Sequence, residues 1–267
     1  MSVQVHPRLL TSAFMTKAES LGAKIVRDAV IEGVMEENVV TGVKTRGGLY
    51  LSANIVVLCM GPWSNQGLRW FGATKKIIDG SRAHSIVMKL NNDSSNIDNT
   101  ALFLSNKNSP EVYPRPDGTV YMCGGCTSSE MPLPHDPAYV EVDDNACEQI
   151  KKMAGKVSDE LRQVTEYTRS ACYLPHSADG VPVIGHVPQV PGLMIAAGHS
   201  CWGILQAPAT GEAMAELIIH GRASNVDLKP FSPGRFFNPN SSTPSYNDAQ
   251  PLCQCSQPGF CFEPSEG

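Results

Sequence analysis

The chain has 267 residues, 42% of them hydrophobic and 18% charged, with 23 Gly and 20 Pro. That is the make-up of a turn-rich globular protein with room for one large domain or two small ones. A net charge of −5 without a basic stripe argues against nucleic acid as a partner, and no apolar run is long enough for a membrane-spanning helix. Nine scattered Cys, an odd count, suit reduced thiols better than a disulfide framework. The segment before Pro7 shows neither a basic n-region nor an apolar h-region, so the expected compartment is the cytoplasm.

In chain order, Pro7 suits a helix start, and Leu10, Phe14, Ala18 and Leu21 mark one face of a helix ended by Gly22. Residues 24–26 read as a strand, and Val30-Ile31 continues the apolar signal. Residues 39–43 and 49–51 read as a hairpin turning at Gly47-Gly48. Residues 55–59 are apolar throughout, which predicts a strand buried on both faces of a parallel sheet, stopping at Gly61-Pro62-Trp63-Ser64.

The middle of the chain changes character. Short β-like runs at 85–90, 101–104, 111–113 and 119–123 alternate with turn signals, among them Pro116-Asp117-Gly118, and predict an antiparallel sheet. Ala146, Ile150, Met153, Val157 and Leu161 then repeat at helical spacing behind a capping pair, Asp143-Asp144. Residues 164–173 lead to Asp179-Gly180-Val181-Pro182-Val183-Ile184-Gly185 and to an apolar strand, Leu193-Met194-Ile195-Ala196-Ala197. That strand runs into Gly198-His199-Ser200-Cys201-Trp202-Gly203-Ile204 and a helix reaching Ile219. Small residues there let a ligand approach the backbone, and the helix start offers free N–H groups to negative charge. After Phe231 the composition turns to Ser, Pro, Asn and Gln, which predicts disorder.

Several ordered motifs carry a family resemblance. Asp179-Gly180-x-Pro182-x-x-Gly185, Gly198-His199-Ser200-x-Trp202-Gly203-Ile204 and Ala207-Pro208-Ala209-Thr210-Gly211 resemble the FAD-dependent oxidoreductases of the D-amino-acid oxidase and glycine/sarcosine oxidase superfamily. His6-Pro7, Gly22-Ala23, residues 39–48 and 56–64, and the 113–125 block with its Arg115-Pro116-Asp117-Gly118 turn sit in the same order. The likeness spans roughly residues 3–231, and its Cys201-Trp202-Gly203-Ile204 wording is most similar to a fungal and plant branch of oxidoreductase-like proteins.

The resemblance implies an α/β fold: a partial FAD/NAD(P)-binding domain of the glutathione-reductase-2 type, with an inserted antiparallel-sheet substrate domain. The corresponding boundaries are 1–68 and 168–231 for the FAD-binding domain, 69–167 for the substrate domain and 232–267 for a disordered tail. The family opens with a strand, a Gly-x-Gly-x-x-Gly turn and a helix that carry the FAD pyrophosphate. No such turn stands in this sequence, so an amino-terminally truncated chain is expected. The implied activity of the full-length form is oxidation of a C–N bond in an amine or amino acid. Its electrons would pass from FAD to oxygen or another acceptor.

Site residues follow from the same likeness, each beside a plainer reading. Gly203 and Ile204 match the turn facing the flavin ring, or a strand-to-helix turn that needs Gly. Val30 matches a backbone position at the adenine, or simple core. Gly61 and Trp63 match the turn approaching the dinucleotide, although Trp63 also suits an aromatic plug. Asp179 and Gly180 open the cofactor motif. Cys172 stands seven positions before Asp179, where some relatives bond the flavin 8α carbon; the plainer reading is a small apolar residue. Tyr113, His199 and Trp202 are candidate pocket residues, His199 and Trp202 for catalysis and Tyr113 and Trp202 for the substrate. His176 lies near them in sequence. Leu174 and Leu205 occupy positions where relatives carry a carboxylate-gripping Arg or Lys, which puts simple amino acids in doubt as substrates.

Two further readings compete. Cys123 and Cys126 form a lone Cys-x-x-Cys that could serve zinc or thiol exchange, with Cys253, Cys255 and Cys261 able to add thiols. The chain could also be a non-catalytic interaction or regulatory protein that keeps the fold.

Overall fold

This computed structural model describes residues 5–90, 100–104, 110–124 and 132–237. The described residues divide into two compact units, one of Ser81–Tyr173 and one joining Val5–Gly80 with residues 174–237. The division falls at 80/81 and 173/174, beside the sequence boundaries at 68/69 and 167/168.

The discontinuous unit opens with helix α1 (Pro7–Ser20), which has Pro at its first position. The helix forms as its spacing predicts, yet Phe14 and Leu21 are exposed and no residue of α1 is buried. Among the described residues, 24–26 form no strand, contrary to the sequence reading. Strands β1 (Val30–Glu36), β2 (Val39–Thr45) and β3 (Tyr50–Ser52) make an antiparallel meander. β1 runs further than the Val30-Ile31 signal through its pairing with β2, and a Cβ on Gly33 would stand 2.5 Å from the Phe71 ring. Strand β4 (Val56–Leu58) leads through a 3-10 turn, Gly61–Trp63, into helix α2 (Ser64–Trp70).

The second sheet of this unit has the order β10-β11-β4, where β10 is Val183–His186 and β11 is Leu193–Ala197. β11 is antiparallel to β10 and parallel to β4, with Leu193 opposite Val56 and Ile195 opposite Leu58. β11 lies in the middle, and Leu193, Met194 and Ile195 are fully buried. β4 lies at the end of the sheet, and only Leu58 of its three residues is buried. The burial on both faces expected of residues 55–59 is therefore not met in β4, whereas β11, in the middle of the sheet, is buried.

Helix α5 (Gly203–His220) follows β11, and helix α6 (Gly234–Phe237) ends the described chain. Residues 232–237 are packed, contrary to the disordered tail expected from residue 232. Phe236 is 2% exposed and joins a core of Leu58, Leu68, Phe71, Leu193 and Ile195. The rest of that stretch, 238–267, lies outside the described residues.

The Ser81–Tyr173 unit is an antiparallel sheet covered by helices. Its strands are β5 (Ile78–Lys89), β6 (Leu102–Phe103), β7 (Glu111–Pro114), β8 (Thr119–Cys123) and β9 (Tyr167–Ser177), in the order β6-β7-β8-β5-β9. The β7–β8 turn is the one expected at Pro116-Asp117-Gly118; Asp117 Oδ1 accepts from Thr119 N at 3.0 Å, and Gly118 has φ +79°. The long helix expected from Ala146 to Leu161 is two helices, α3 (Asp144–Val157) and α4 (Asp159–Gln163). Asp143 caps the first by accepting from Asn145 N and Ala146 N. Ser158 caps the second by accepting from Glu160 N at 3.1 Å, so the backbone leaves the helix at Ser158 and restarts.

Candidate functional site

Because β4 and β11 are parallel, their carboxyl ends open on the same edge of the sheet, and the turn after each faces that edge. This is where open α/β sheets place ligands. After β4 comes Gly61, with φ +51° and nothing within 4 Å of the position a Cβ would take. Trp63 beside it is half-buried, and Ser64 Oγ donates to Gly61 O at 2.7 Å. Gly61 is thus a place where a ligand can touch the backbone. Val30 is half-buried at the start of β1, paired with Thr45.

After β11 the chain makes a tight turn. Gly198 has φ +84°, and Ser200 has φ +52°, a strained conformation for a residue with a side chain. Two contacts fix the turn. His199 Nε2 and Thr210 Oγ1 of α5 are 3.0 Å apart, and Ser200 Oγ and His176 Nδ1 are 3.4 Å apart. His176 and His199 also form a backbone bridge. Burial lowers the pKa of both imidazoles, with Asp79 opposing the shift at His176, which favours the neutral ring in each.

The turn delivers the start of α5. No side chain caps this end, and no acidic residue stands in its first turn. Its first N–H groups have no partner within the helix. Around them Trp202 is 58% exposed and Leu205 73% exposed, with Ile204 exposed as well. A Cβ on Gly203 would meet only the His199 Cβ, at 3.8 Å. An uncapped positive helix end inside a collar of exposed apolar side chains is suited to a flat apolar group that carries negative charge on one edge. The residues present therefore fit a flavin ring, and the open space at Gly61 fits close backbone approach by the rest of a dinucleotide.

Asp179 is already occupied. Arg235 Nε donates to its Oδ2 at 2.6 Å and Arg235 Nη2 to its Oδ1 at 3.1 Å, while Ser177 Oγ and Val181 N also donate to Oδ1. Burial would raise this carboxyl, but Arg235, Ser177 and the Val181 N–H outweigh it and hold the pKa below the usual carboxylate range. Arg235 also donates to the carbonyls of Phe231, Ser232, Val181 and Pro182. Asp179 and Gly180 (φ +73°) thus shape the loop before β10. Arg235 was missed from the sequence because it stands in a stretch whose composition reads as disorder.

The other unit holds Tyr113, Cys123 and Cys172. The Tyr113 hydroxyl donates to Glu111 Oε2 at 2.6 Å. Burial first, and then the Glu111 bond, push its pKa up. Cys123 is pushed up to about 12, chiefly by burial, which works against a thiolate metal ligand; Cys126 lies outside the described residues. Cys172 is exposed at the surface, yet enough protein surrounds its sulfur to raise the thiol pKa. A protonated thiol is a poor nucleophile toward a flavin.

The family model described as FAD dependent oxidoreductase matches residues 1–217. The chain belongs to that family. It is 35% identical over 197 residues to the oxidoreductase-like protein TDA3 of Saccharomyces cerevisiae, covering 68% of this chain and 35% of that protein. It is 30% identical over 232 residues to a glycine oxidase of Pseudomonas putida, covering 85% of this chain and 58% of that enzyme. Among solved structures, the L-proline dehydrogenase of P. horikoshii shares the fold with a TM-score of 0.72 at 24% identity, over 85% of this chain and 59% of the dehydrogenase. The chain thus spans between about a third and three-fifths of the length of these relatives. The α/β fold with antiparallel sheets and the family expected from the motifs both stand. The non-catalytic reading is not favoured. Among the described residues, no helix is long and apolar enough to cross a membrane.

Proposed function

We propose that the protein works as an FAD-dependent oxidoreductase on a C–N bond of a small amine. The observation that carries this is the uncapped start of α5, ringed by Trp202, Ile204 and Leu205, on the same sheet edge as the open backbone at Gly61. FAD, when bound, accepts the hydride that leaves the carbon beside nitrogen. The chain's own residues position and polarise. The N–H groups of Gly203 and Ile204 would hold the negative charge of the flavin, and Trp202 would cover it. Gly61, Trp63 and the Val30 backbone would hold the dinucleotide part of the cofactor. Asp179 and Gly180 act through the loop that Arg235 ties down.

Thr210 positions His199 and burial favours its neutral form, so it can accept a hydrogen bond in the pocket without carrying a fixed charge. Trp202 would contact the substrate beside the start of α5. Leu174 and Leu205 offer no cation for a carboxylate, which points to an amine rather than a simple amino acid. The described cysteines are all free thiols, which supports a reducing, cytoplasmic setting.

The test is reconstitution of the purified chain with FAD, followed by visible absorption and anaerobic titration with secondary amines. A bound flavin spectrum that bleaches with amine is expected. Protein that retains no flavin at saturating FAD rejects this reading of the chain.

A further inference from the structure

The five-stranded sheet has two unlike faces. On one, Val112, Val120 and Met122 pack with Ile86 and Met88 of β5 against Cys147, Ile150 and Ala154 of α3. The alternate positions of the same strands point the other way. Strand register sets Phe103 opposite Glu111, Glu111 opposite Cys123, and Tyr113 opposite Tyr121. This second face gathers three aromatic rings around one carboxylate. The Phe103 and Tyr113 rings meet edge-to-face at 5.8 Å between centroids, and the Tyr113 and Tyr121 rings lie 6.0 Å apart.

Glu111 Oε2 receives the Tyr113 hydroxyl at 2.6 Å and the Cys123 thiol at 3.8 Å. Among the described residues, no Lys or Arg forms an ion pair with it. Burial raises the pKa of both donors, so each keeps the proton it offers to the Glu111 oxygen. The face already attracts a cation, for the Arg115 guanidinium sits 5.2 Å above the Tyr121 ring. A carboxylate with aromatic faces beside it suits an ammonium that carries apolar substituents. The charge pairs with oxygen, and the polarised N-alkyl groups lie on the rings.

We propose that this face binds the substrate as a protonated alkylamine, with Glu111 pairing the ammonium and Tyr113, Tyr121 and Phe103 taking up its N-alkyl groups. The inference rests on the C–N oxidation reading and narrows its substrate class to N-alkylated amines that need no carboxylate grip. The apolar Leu174 and Leu205 agree with such a substrate.

Calorimetric titration of the full chain tests it, with N,N-dimethylbutylamine as the probe and butyl methyl ether and pentanoate as neutral and anionic controls. The amine is expected to bind about ten-fold more tightly than the ether, a difference of about 1.4 kcal/mol, with no heat from pentanoate. Glu111→Gln should remove that preference at unchanged melting temperature, and Tyr121→Leu should weaken the amine and the ether alike. Equal binding of amine and ether by the wild type overturns the proposal, as does undiminished amine binding by a folded Glu111→Gln. If that variant does not fold, the wild-type ratio of amine to ether decides alone. Flavin absorption recorded on the same samples separates the two readings. Colourless protein that prefers the amine keeps this site and rejects the flavin, whereas yellow protein without the preference does the reverse.

Discussion

Asp179 and Glu111 are both carboxylates at candidate sites, and their surroundings differ in kind. Asp179 receives a two-point guanidinium contact, a hydroxyl and a backbone N–H, so its oxygens are spent within the protein. Glu111 receives one tyrosine hydroxyl and a distant thiol, with no ion pair among the described residues. The first arrangement builds a loop and locks a chain segment to it. The second leaves carboxylate oxygens that a ligand can answer. Which carboxylate is structural therefore depends on the donors around it, and the motif that contains it does not decide the matter.

Substitutions can break or sharpen this contrast. Phe236→Ala empties a fully buried site in the core that the locked segment completes, and should cost about 4 kcal/mol by denaturant unfolding. Arg235→Ala removes the pair with Asp179 and four carbonyl contacts, and should cost about 3 kcal/mol, because Asp179 is left partly buried without its counter-charge. A loss no larger than that of a surface ion pair would mean that the lock is ornamental. Glu111→Gln should change stability by no more than about 0.5 kcal/mol, since no structural partner of opposite charge is lost. A large loss there would make Glu111 as structural as Asp179.

Acid should separate the same groups. The imidazoles of His84, His176 and His199 titrate below their ordinary value of 6.5 because burial favours the neutral form. The unfolded chain then binds more protons, so stability is full above about pH 6.5 and falls as the pH drops below it. Asp179 sits below its ordinary 3.8, so its contribution is full above that value and lost as the pH falls through the folded pKa. Unfolding followed against pH should show two acid limbs. Arg235→Ala should shrink the lower one and leave the upper one in place.

Local signals in the sequence located most elements. Pro7 starts α1, Pro116-Asp117-Gly118 turns β7 into β8, Asp143 caps α3, and the apolar 193–197 run is a buried strand. Each depends on residues within one or two turns of chain, where backbone sterics and capping bonds act. The break at Ser158 was also written locally, in a capping residue followed by Asp159-Glu160, but the helical spacing continued across it and hid it. The ordered glycine motifs carried the family.

Contacts across long stretches of chain decided the rest. The edge position of β4, the Arg235 lock on Asp179 from 56 residues away, and the meeting of Phe103, Glu111, Tyr113 and Tyr121 depend on strand order and register. A local pattern can say that a strand alternates, but it cannot say which strand lies beside it. Whether a carboxylate has a cation to meet is therefore settled only when the chain folds back on itself.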